Sequence, residues 1–183
     1  IQYACSRTLA EAQSVPEAAR RIIQSICTRL GWSAGFLWMH EEAVDALTMV
    51  VAWHAPDSGL EDLVEICRHR RFQCGEGLPG HVWSARQPRW IADLATDIQF
   101  HRSSVTTKVG LHGALAIPIV AQGEFLGVFE CLSRHAEDPD ESLLEALGGV
   151  GNQIGQFIIR KRAEAELVRA KESAEAANRA KSE

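Results

Sequence analysis

The sequence predicts an α+β domain with an antiparallel sheet, helices on one face and loops over the other. Two pairs of strand-like segments, 34–39 with 47–53 and 114–120 with 125–132, are each joined by a short polar turn, which is typical of hairpins. Helical patterns precede, separate and follow these pairs. Hairpins imply antiparallel pairing, and a sheet covered by loops commonly leaves a cavity beneath them.

Capping signals predict the helices of the first half. Ser14-Val-Pro-Glu17 is a capping box with proline in the first turn, and Gly31 ends the helix that follows. The residues before Ser14 indicate another helix that enters from upstream. A second capping box, Ser58-Gly-Leu-Glu61, predicts a helix whose apolar face includes Leu63.

The middle of the chain is less regular. Residues 68–80 form a basic, glycine-rich connection, 81–85 indicate one or two helical turns, and 89–92 predict a short strand. Residues 93–110 are polar and lack periodicity, so we expect a long loop with one helical turn. The run 138–141, Asp-Pro-Asp-Glu, is expected to cap a long terminal helix.

The last 24 residues, 160–183, predict one exposed helix, because they contain no glycine, no proline and a single β-branched residue, Val168. Six positions, four of them alanine, recur at alternating spacings of four and three, which indicates a thin heptad seam. Alanine side chains bury little area, so this seam is weak and suits a switch between two registers. The seam positions are Ala163, Leu167, Ala170, Ala174, Ala177 and Lys181.

Composition excludes several classes of protein. The chain has 183 residues, of which 46% are apolar, and a net charge of −5. Without a dense basic patch it is not expected to bind nucleic acid, and without a long apolar run it is not expected to span a membrane. We interpret Ile1 as an internal cut and expect a cytoplasmic location.

Five cysteines occur, an odd number with no Cys-x-x-Cys pair, which favours reduced thiols. The spacing of Cys67, His69 and Cys74 matches no common zinc pattern, so no metal is expected. No nucleophile, base and orienting residue can be recognised together, so this segment is not expected to catalyse a reaction.

Four separated motifs carry a resemblance to a known family. They are Gly75-Glu-Gly-Leu-Pro-Gly-His-Val-Trp83, Pro88-Arg-Trp-Ile-Ala-Asp93, Gly110-Leu-His-Gly-Ala-Leu-Ala-Ile-Pro-Ile119 and Gly127-Val-Phe-Glu130. In order and spacing they resemble a GAF domain over residues 14–160. The resemblance implies a six-stranded antiparallel sheet, helices from both ends on one face and a small-molecule pocket on the other. Residues 1–13 would then be an incoming linker helix, and 161–183 a coiled-coil signalling helix.

The tail carries a second resemblance. Residues 170–183 are similar to the helix just upstream of the phospho-acceptor histidine in sensor histidine kinases. Together the resemblances imply the small-molecule-sensing or regulatory module of a bacterial two-component sensor (hybrid) histidine kinase. It would form a homodimer through its terminal helices and pass the ligand state to an output domain. The alternatives are a ligand-free structural dimerisation domain and the sensory module of a cyclic-di-GMP signalling protein.

Aromatic and polar residues near the glycine turn and the long loop are the candidate pocket residues. The alternative for each aromatic residue is ordinary core packing, and for each polar residue a solvated loop. Phe36 and Trp38 are predicted to share one face of the sheet, and Phe125 and Phe129 another. The candidates are Phe36, Trp38, Trp53, His81, Trp83, Trp90, Asp93, Phe100, Arg102, His112 and Phe129.

Further features narrow the choice of ligand. Gly75, Gly77 and Gly80 spell the dinucleotide fingerprint, but no buried strand precedes them, so they are interpreted as a turn. Some GAF domains attach a bilin through a cysteine in the loop before the second-last strand. The sequence excludes attachment there, because no cysteine lies between Cys74 and Cys131. The cofactor is otherwise unknown.

Glu130 stands alone as a carboxyl in an apolar strand. Alternation predicts that its side chain points away from Phe129 and Cys131. We expect Glu130 to form an ion pair at the rim of the sheet, because a buried carboxylate needs a partner.

Overall fold

A computed structural model describes residues 2–97, 106 and 108–181 of the chain. Within these residues, helices flank and interrupt six strands, in the predicted order. The elements are α1 (Gln2–Glu11), α2 (Val15–Leu30), β1 (Ala34–Glu41), β2 (Ala46–His54), α3 (Glu61–His69), β3 (Arg71–Phe72), α4 (Gly77–Ala85), β4 (Arg89–Ile91), β5 (Gly113–Ala121), β6 (Glu124–Ser133) and α5 (Glu141–Lys181).

The six strands form one antiparallel sheet in the order β3-β2-β1-β6-β5-β4. The two predicted hairpins, β1–β2 and β5–β6, lie side by side at its centre. The fold class predicted from the sequence is therefore confirmed. The strand β3 was not predicted, because it is only two residues long and lies within a stretch interpreted as a connection.

One face of the sheet, the helix face, is covered by α1, α2 and α5. Ile22, Ile23 and Ile26 from α2 meet Ile154 and Phe157 from α5 in a continuous buried cluster. Burial of such side chains contributes about 1.5–3 kcal/mol each. This cluster holds the first and last helices together on one side of the domain.

The opposite face, here called the roofed face, lies against α3 and α4. Leu63 of α3 and Val82 of α4 are buried there, together with Leu94 and Leu111 from the ends of the long loop. The prediction of helices on one face thus holds for α1, α2 and α5, while two short helices join the loops on the other. Thr106 and Lys108 are helical, in agreement with the predicted turn.

Local capping signals account for three helix boundaries. The Ser14 hydroxyl accepts a hydrogen bond from the Glu17 amide at 3.3 Å, and Gly31 ends α2 in the left-handed region at φ 69°. The Asp140 carboxylate caps α5 by accepting from the Leu143 amide at 3.0 Å. The second predicted capping box is wrong: α3 has no side-chain cap, and the Ser58 hydroxyl instead bonds His54.

Two bulges change the face on which side chains point. In β2, Val50 is an extra residue opposite β1, because Leu37 pairs with Val51 and the next residue, Trp38, pairs with Met49. In β6, Leu126 is an extra residue opposite β5, because Ile119 pairs with Gly127 and the next residue, Val120, pairs with Phe125. Each bulge reverses the alternation along its strand. Phe125 therefore joins Phe36 and Trp38 on the roofed face, and its predicted pairing with Phe129 is wrong.

The long helix α5 has two parts. Its first half packs on β5 through Leu147, Val150, Ile154 and Ile158. Residues 162–179, by contrast, are all exposed, and at 1.5 Å per residue they extend roughly 27 Å. Among the described residues, no helix is long and apolar enough to cross a bilayer.

Candidate functional site

The centre of the roofed face holds a buried pair formed by Trp38 on β1 and Glu130 on β6. The Trp38 indole nitrogen donates a hydrogen bond of 2.8 Å to Oε2 of Glu130. Trp38 is 1% exposed and Glu130 is 8% exposed. Glu130 points away from Phe129 and Cys131, as predicted, but the predicted ion pair at the rim is wrong, because its bonded partner is a buried indole.

Burial sets the ionisation of this carboxyl. Desolvation raises the pKa of Glu130 to about 7, and the Trp38 hydrogen bond, which favours the carboxylate, offsets only part of that rise. The pKa of the nearby Cys67 thiol on α3 is raised to about 12, first by burial and then by the charge of Glu130. The carboxyl therefore titrates near neutral pH, and the thiol stays protonated there.

Aromatic rings surround the pair. Trp38 contacts Phe36 at 5.9 Å and the edge of Phe72 at 4.9 Å between ring centroids. Trp83 of α4 stacks on Phe125 at 5.6 Å with an interplanar angle of 2°. These contacts form an aromatic layer on the roofed face, to which α4 contributes Trp83.

An arginine and a histidine side chain border this layer at the end of the sheet where β1 turns into β2 and β5 turns into β6. The Arg86 guanidinium lies over the Phe125 ring at 4.5 Å, and His40 contacts Trp83 at 4.7 Å. Arg86 takes a left-handed backbone conformation at φ 55°, where it ends α4. The rim of the site is thus polar at this end.

Polar residues also lie at the opposite end of β5. Asp93 accepts hydrogen bonds from the His112 ring at 2.9 Å and from the Ala95 amide at 2.9 Å. These bonds, the Ala95 amide first, lower the pKa of Asp93. The pair ties the start of the long loop to the start of β5.

The predicted pocket residues divide between the two faces of the sheet. Phe36, Trp38 and Trp83 lie together on the roofed face. His81 lies on α4, where its Nδ1 donates to the Gly77 carbonyl at 2.7 Å. Phe100 and Arg102 lie outside the described residues.

Trp53, Trp90 and Phe129 lie on the helix face and not with the other candidates. Phe129 is 1% exposed among the side chains that α2 and α5 cover. Trp90 packs edge-on against Trp32 at 5.5 Å. The bulge at Val50 places Trp53 on this face, and β4, whose Trp90 pairs with Leu115, places Trp90 there as well. Phe129 is a core residue of the helix layer, and Trp53 and Trp90 are partly buried residues that pack against it.

The segment that leads into α5 is tied to both halves of the domain. The Arg134 guanidinium donates to the carbonyls of Val109 at 2.8 Å and Ser58 at 2.5 Å, both on roof segments. The Glu137 carboxylate accepts from the Trp32 indole at 2.9 Å and from the Ser133 hydroxyl at 3.1 Å. These contacts connect the roof to the start of α5.

Sequence reasoning missed three of these features. The partner of Glu130, the proximity of Cys67 to it, and the bridging role of Arg134 depend on contacts between distant segments. A lone carboxyl inside an apolar strand was the available signal for the first. Arg134 and Cys67 carry no comparable local signature.

Two shallow grooves lie on the helix side, among the described residues. A groove of about 490 Å³ runs between β5 and α5, and includes Arg86, Pro118 and Asn152. A second, of about 560 Å³, runs between α1 and α5, and includes Leu9, Phe157 and Arg160. Neither groove contains the Trp38–Glu130 pair.

The six-stranded antiparallel sheet, with α1, α2 and α5 on one face and short helices and loops on the other, defines an α+β domain. A family model described as GAF domain matches residues 12–158. The chain belongs to the GAF domain family. Protein NLP3 of Arabidopsis thaliana is 27% identical over 105 residues, which are 56% of this chain and 14% of NLP3, so the chain spans a small part of that relative's length.

Three solved structures show the same fold. The GAF domain of a phosphoenolpyruvate-protein phosphotransferase from Coxiella burnetii has a TM-score of 0.76 at 20% identity, over 90% of this chain and 94% of that one. Free methionine-R-sulfoxide reductase from Neisseria meningitidis, in complex with its substrate, scores 0.73 at 13% identity, over 90% and 89%. A domain of a putative two-component sensor histidine kinase protein from Sinorhizobium meliloti 1021 scores 0.64 at 16% identity, over 85% and 98%.

Proposed function

We propose that this GAF domain senses a small molecule at its roofed face and is the sensory module of a two-component sensor histidine kinase. The observation that carries the proposal is the continuity of α5. The same helix packs on β5 beneath the site and then continues through 18 exposed residues, 162–179. A rigid helix with one end on a binding domain is suited to transmit a change at that domain.

A connection from the site to the helix supports this proposal. Arg134 contacts two roof carbonyls, and three residues farther along Glu137 contacts Trp32 of the helix layer. A ligand that moved the roof would change the position of Arg134, and so the start of α5. Such a shift needs a differential contact between two states, which the Arg134 hydrogen bonds can supply.

Relatives support the choice of ligand and output. One structural neighbour is described in complex with its substrate, and another comes from a putative sensor histidine kinase. We extend both properties to this chain: a small-molecule ligand, held near Phe36, Trp38, Trp83 and Glu130, and a kinase output in the same polypeptide. Asp93, His112 and His81 would border the ligand.

We propose that two chains pair through the exposed part of α5. Leu167 is 72% exposed and Val168 is 54% exposed, and only Leu167 falls on the alanine seam. Alanine contacts bury little area, so the pairing is weak enough for two registers to exchange.

Sedimentation of two variants tests the pairing. Leu167→Glu places a charge in the seam and is expected to weaken dimerisation by at least about tenfold, which corresponds to 1.4 kcal/mol. Val168→Glu, one residue along the same helix, is the matched control and should sediment like the unmodified chain. A monomer at all concentrations, or equal effects of both variants, would count against the helix as the transmitting element and favour a structural role.

A further inference from the structure

The carboxyl of Glu130 lies at the centre of the sheet, away from every edge. On β6 it pairs with Phe36 of β1 on one side and with Ala116 of β5 on the other. Three strands lie on one side of β6 and two on the other, in the order β3-β2-β1-β6-β5-β4. A structural salt bridge at a rim therefore does not explain this residue.

The layer around Glu130 is apolar. Its neighbours on the roofed face include Phe36, Val128 and Leu132, all buried. In the part of the chain that the structure describes, no lysine, arginine or histidine forms an ion pair with it. A carboxyl is costly in such a layer unless something compensates its burial.

The two oxygens of this carboxyl differ. Oε2 accepts the Trp38 hydrogen bond, while Oε1 accepts none from the residues described. Glu130 nonetheless retains 8% exposure, whereas its strand neighbours Phe129 and Cys131 retain 1% and 0%. A small part of Glu130 is therefore accessible, and Oε1 is the carboxyl oxygen without a partner among the residues described.

Small side chains lie beside Glu130. Ala116 is its direct neighbour on β5. Ala34 on β1 and Ala114 on β5 both pair with Leu132, the next residue of β6 on the same face, and both are fully buried. Larger rings, Phe36 and Trp38, border the other side. Alanines are thus the smallest side chains next to the carboxyl.

We propose that Glu130 anchors a small, mostly apolar ligand through a single cationic nitrogen, an ammonium or amidinium group, which donates to Oε1. The inference rests on the proposed sensing function and names the class of its ligand. Trp38 holds the carboxylate in place through Oε2. The aromatic layer contacts the apolar body of the ligand, and its faces favour a cation. Burial, which raises the pKa of Glu130 to about 7, is offset when the cation binds.

Binding of small amines at two pH values tests this anchor. The probes are benzylamine and benzamidine, with benzyl alcohol as the neutral isostere, measured by calorimetry on the whole chain at pH 5.5 and pH 8. Both cations stay charged over this range, while Glu130 changes from mostly protonated to mostly ionised. Their affinity should rise about tenfold or more with pH, since charge-assisted hydrogen bonds are the strong ones, and that of the alcohol should not change.

A substitution at Glu130 tests whether the pH dependence of amine binding comes from this residue. Glu130→Gln keeps an oxygen for the Trp38 bond and is expected to fold, as circular dichroism would verify. It should lose the rise with pH and about tenfold of amine affinity at pH 8. Glu42→Gln, in the exposed turn between β1 and β2, is the matched control and should behave like the unmodified chain.

Three results would overturn the inference. They are no amine binding at millimolar concentration, equal affinity for amine and alcohol at pH 8, and amine binding that Glu130→Gln leaves intact. If neutral ligands bind the roofed face and alter dimerisation, the sensing proposal stands without this anchor. If amines bind through Glu130 but α5 pairing does not respond, the anchor stands and the proposed transmission fails.

Discussion

The indole of Trp38 and the carboxyl of Glu130 join β1 to β6 by a hydrogen bond of 2.8 Å in the middle of a buried apolar layer. An indole N–H can only donate, and it finds an acceptor in both the ionised and the neutral carboxyl. The bond therefore fixes the position of the carboxyl without fixing its charge. Desolvation has the larger effect on the charge of Glu130 and holds the pKa of its carboxyl near neutral.

Stability should depend on pH through Glu130. The pKa rises from 4.5 to about 7 on folding, so the folded chain binds the proton more tightly than the unfolded chain. The contribution of Glu130 therefore lowers the free energy of unfolding as the pH rises from about 4.5 to 7, and this contribution is constant at higher pH. Glu130→Gln removes this loss and should be more stable than the unmodified chain above pH 7, by roughly 3 kcal/mol, with no difference near pH 4.5.

Urea unfolding at pH 5, 6, 7 and 8 measures this difference. Glu42→Gln removes the same charge at an exposed turn, and its free energy of unfolding should differ from that of the unmodified chain by the same amount at every pH. A constant offset for Glu130→Gln as well would show that the carboxyl is not desolvated.

Thiol reactivity should distinguish one cysteine from the other four. Cys74 is exposed, whereas Cys27 and Cys131 are buried, and burial raises the pKa values of Cys5 and Cys67 to about 11 and about 12. The thiolate is the reactive form. A chromogenic disulfide reagent at pH 8 should therefore titrate one thiol quickly and the others only after unfolding.

The substitution Cys74→Ser should remove the fast phase entirely. Cys67→Ser is the comparison, because it removes a neighbouring thiol from the same side of the domain and should leave the fast phase unchanged. A second fast thiol in the folded chain would mean that Cys67 is more accessible than its burial implies.

Local signals predicted most of the fold, and contacts between distant segments explain what was missed. Ser14, Gly31 and Asp140 mark helix ends through bonds to residues within four positions, so the sequence contains the information. The bulge at Leu126 arises only when β6 pairs with β5, and it decides the face of Phe125.

The candidate site was less predictable than the fold for the same reason. Phe36 and Trp38 were placed together correctly by simple alternation on one strand. The partner of Glu130, however, is 92 residues away along the chain, and its environment is set by α3 and α4 above it. No spacing in the sequence records that contact.

Arg134 should couple the roof to the segment before α5. Its guanidinium donates to Val109 and Ser58, which are otherwise far apart in the chain. Arg134→Ala should cost about 1 kcal/mol of stability, since the side chain is exposed, and should speed hydrogen exchange of the amides at 109–111. Arg134→Lys should restore little, because an ammonium lacks the planar fork that spans both carbonyls.

Exchange measured by mass spectrometry on proteolytic fragments reports this effect locally. Arg29→Ala removes an exposed arginine of α2 and serves as the control, with no change expected at 109–111. Equal exchange in all variants would mean that the roof is held by its apolar contacts and not by Arg134.

Two glycines of α5 should respond in opposite directions to the same substitution. A Cβ at Gly155 would lie 2.7 Å from the Val120 carbonyl oxygen of β5, whereas one at Gly148 would meet only Pro88 at 3.9 Å. Gly148→Ala should therefore stabilise the chain by about 0.5–1 kcal/mol through helix propensity alone. Gly155→Ala gains the same propensity but forces α5 away from β5, and the loss of packing along this helix should exceed the gain, for a net cost of roughly 1–3 kcal/mol. Thermal unfolding of both variants measures the difference, and two stabilised variants would mean that α5 can move away from the sheet at little cost, as a loosely held helix would.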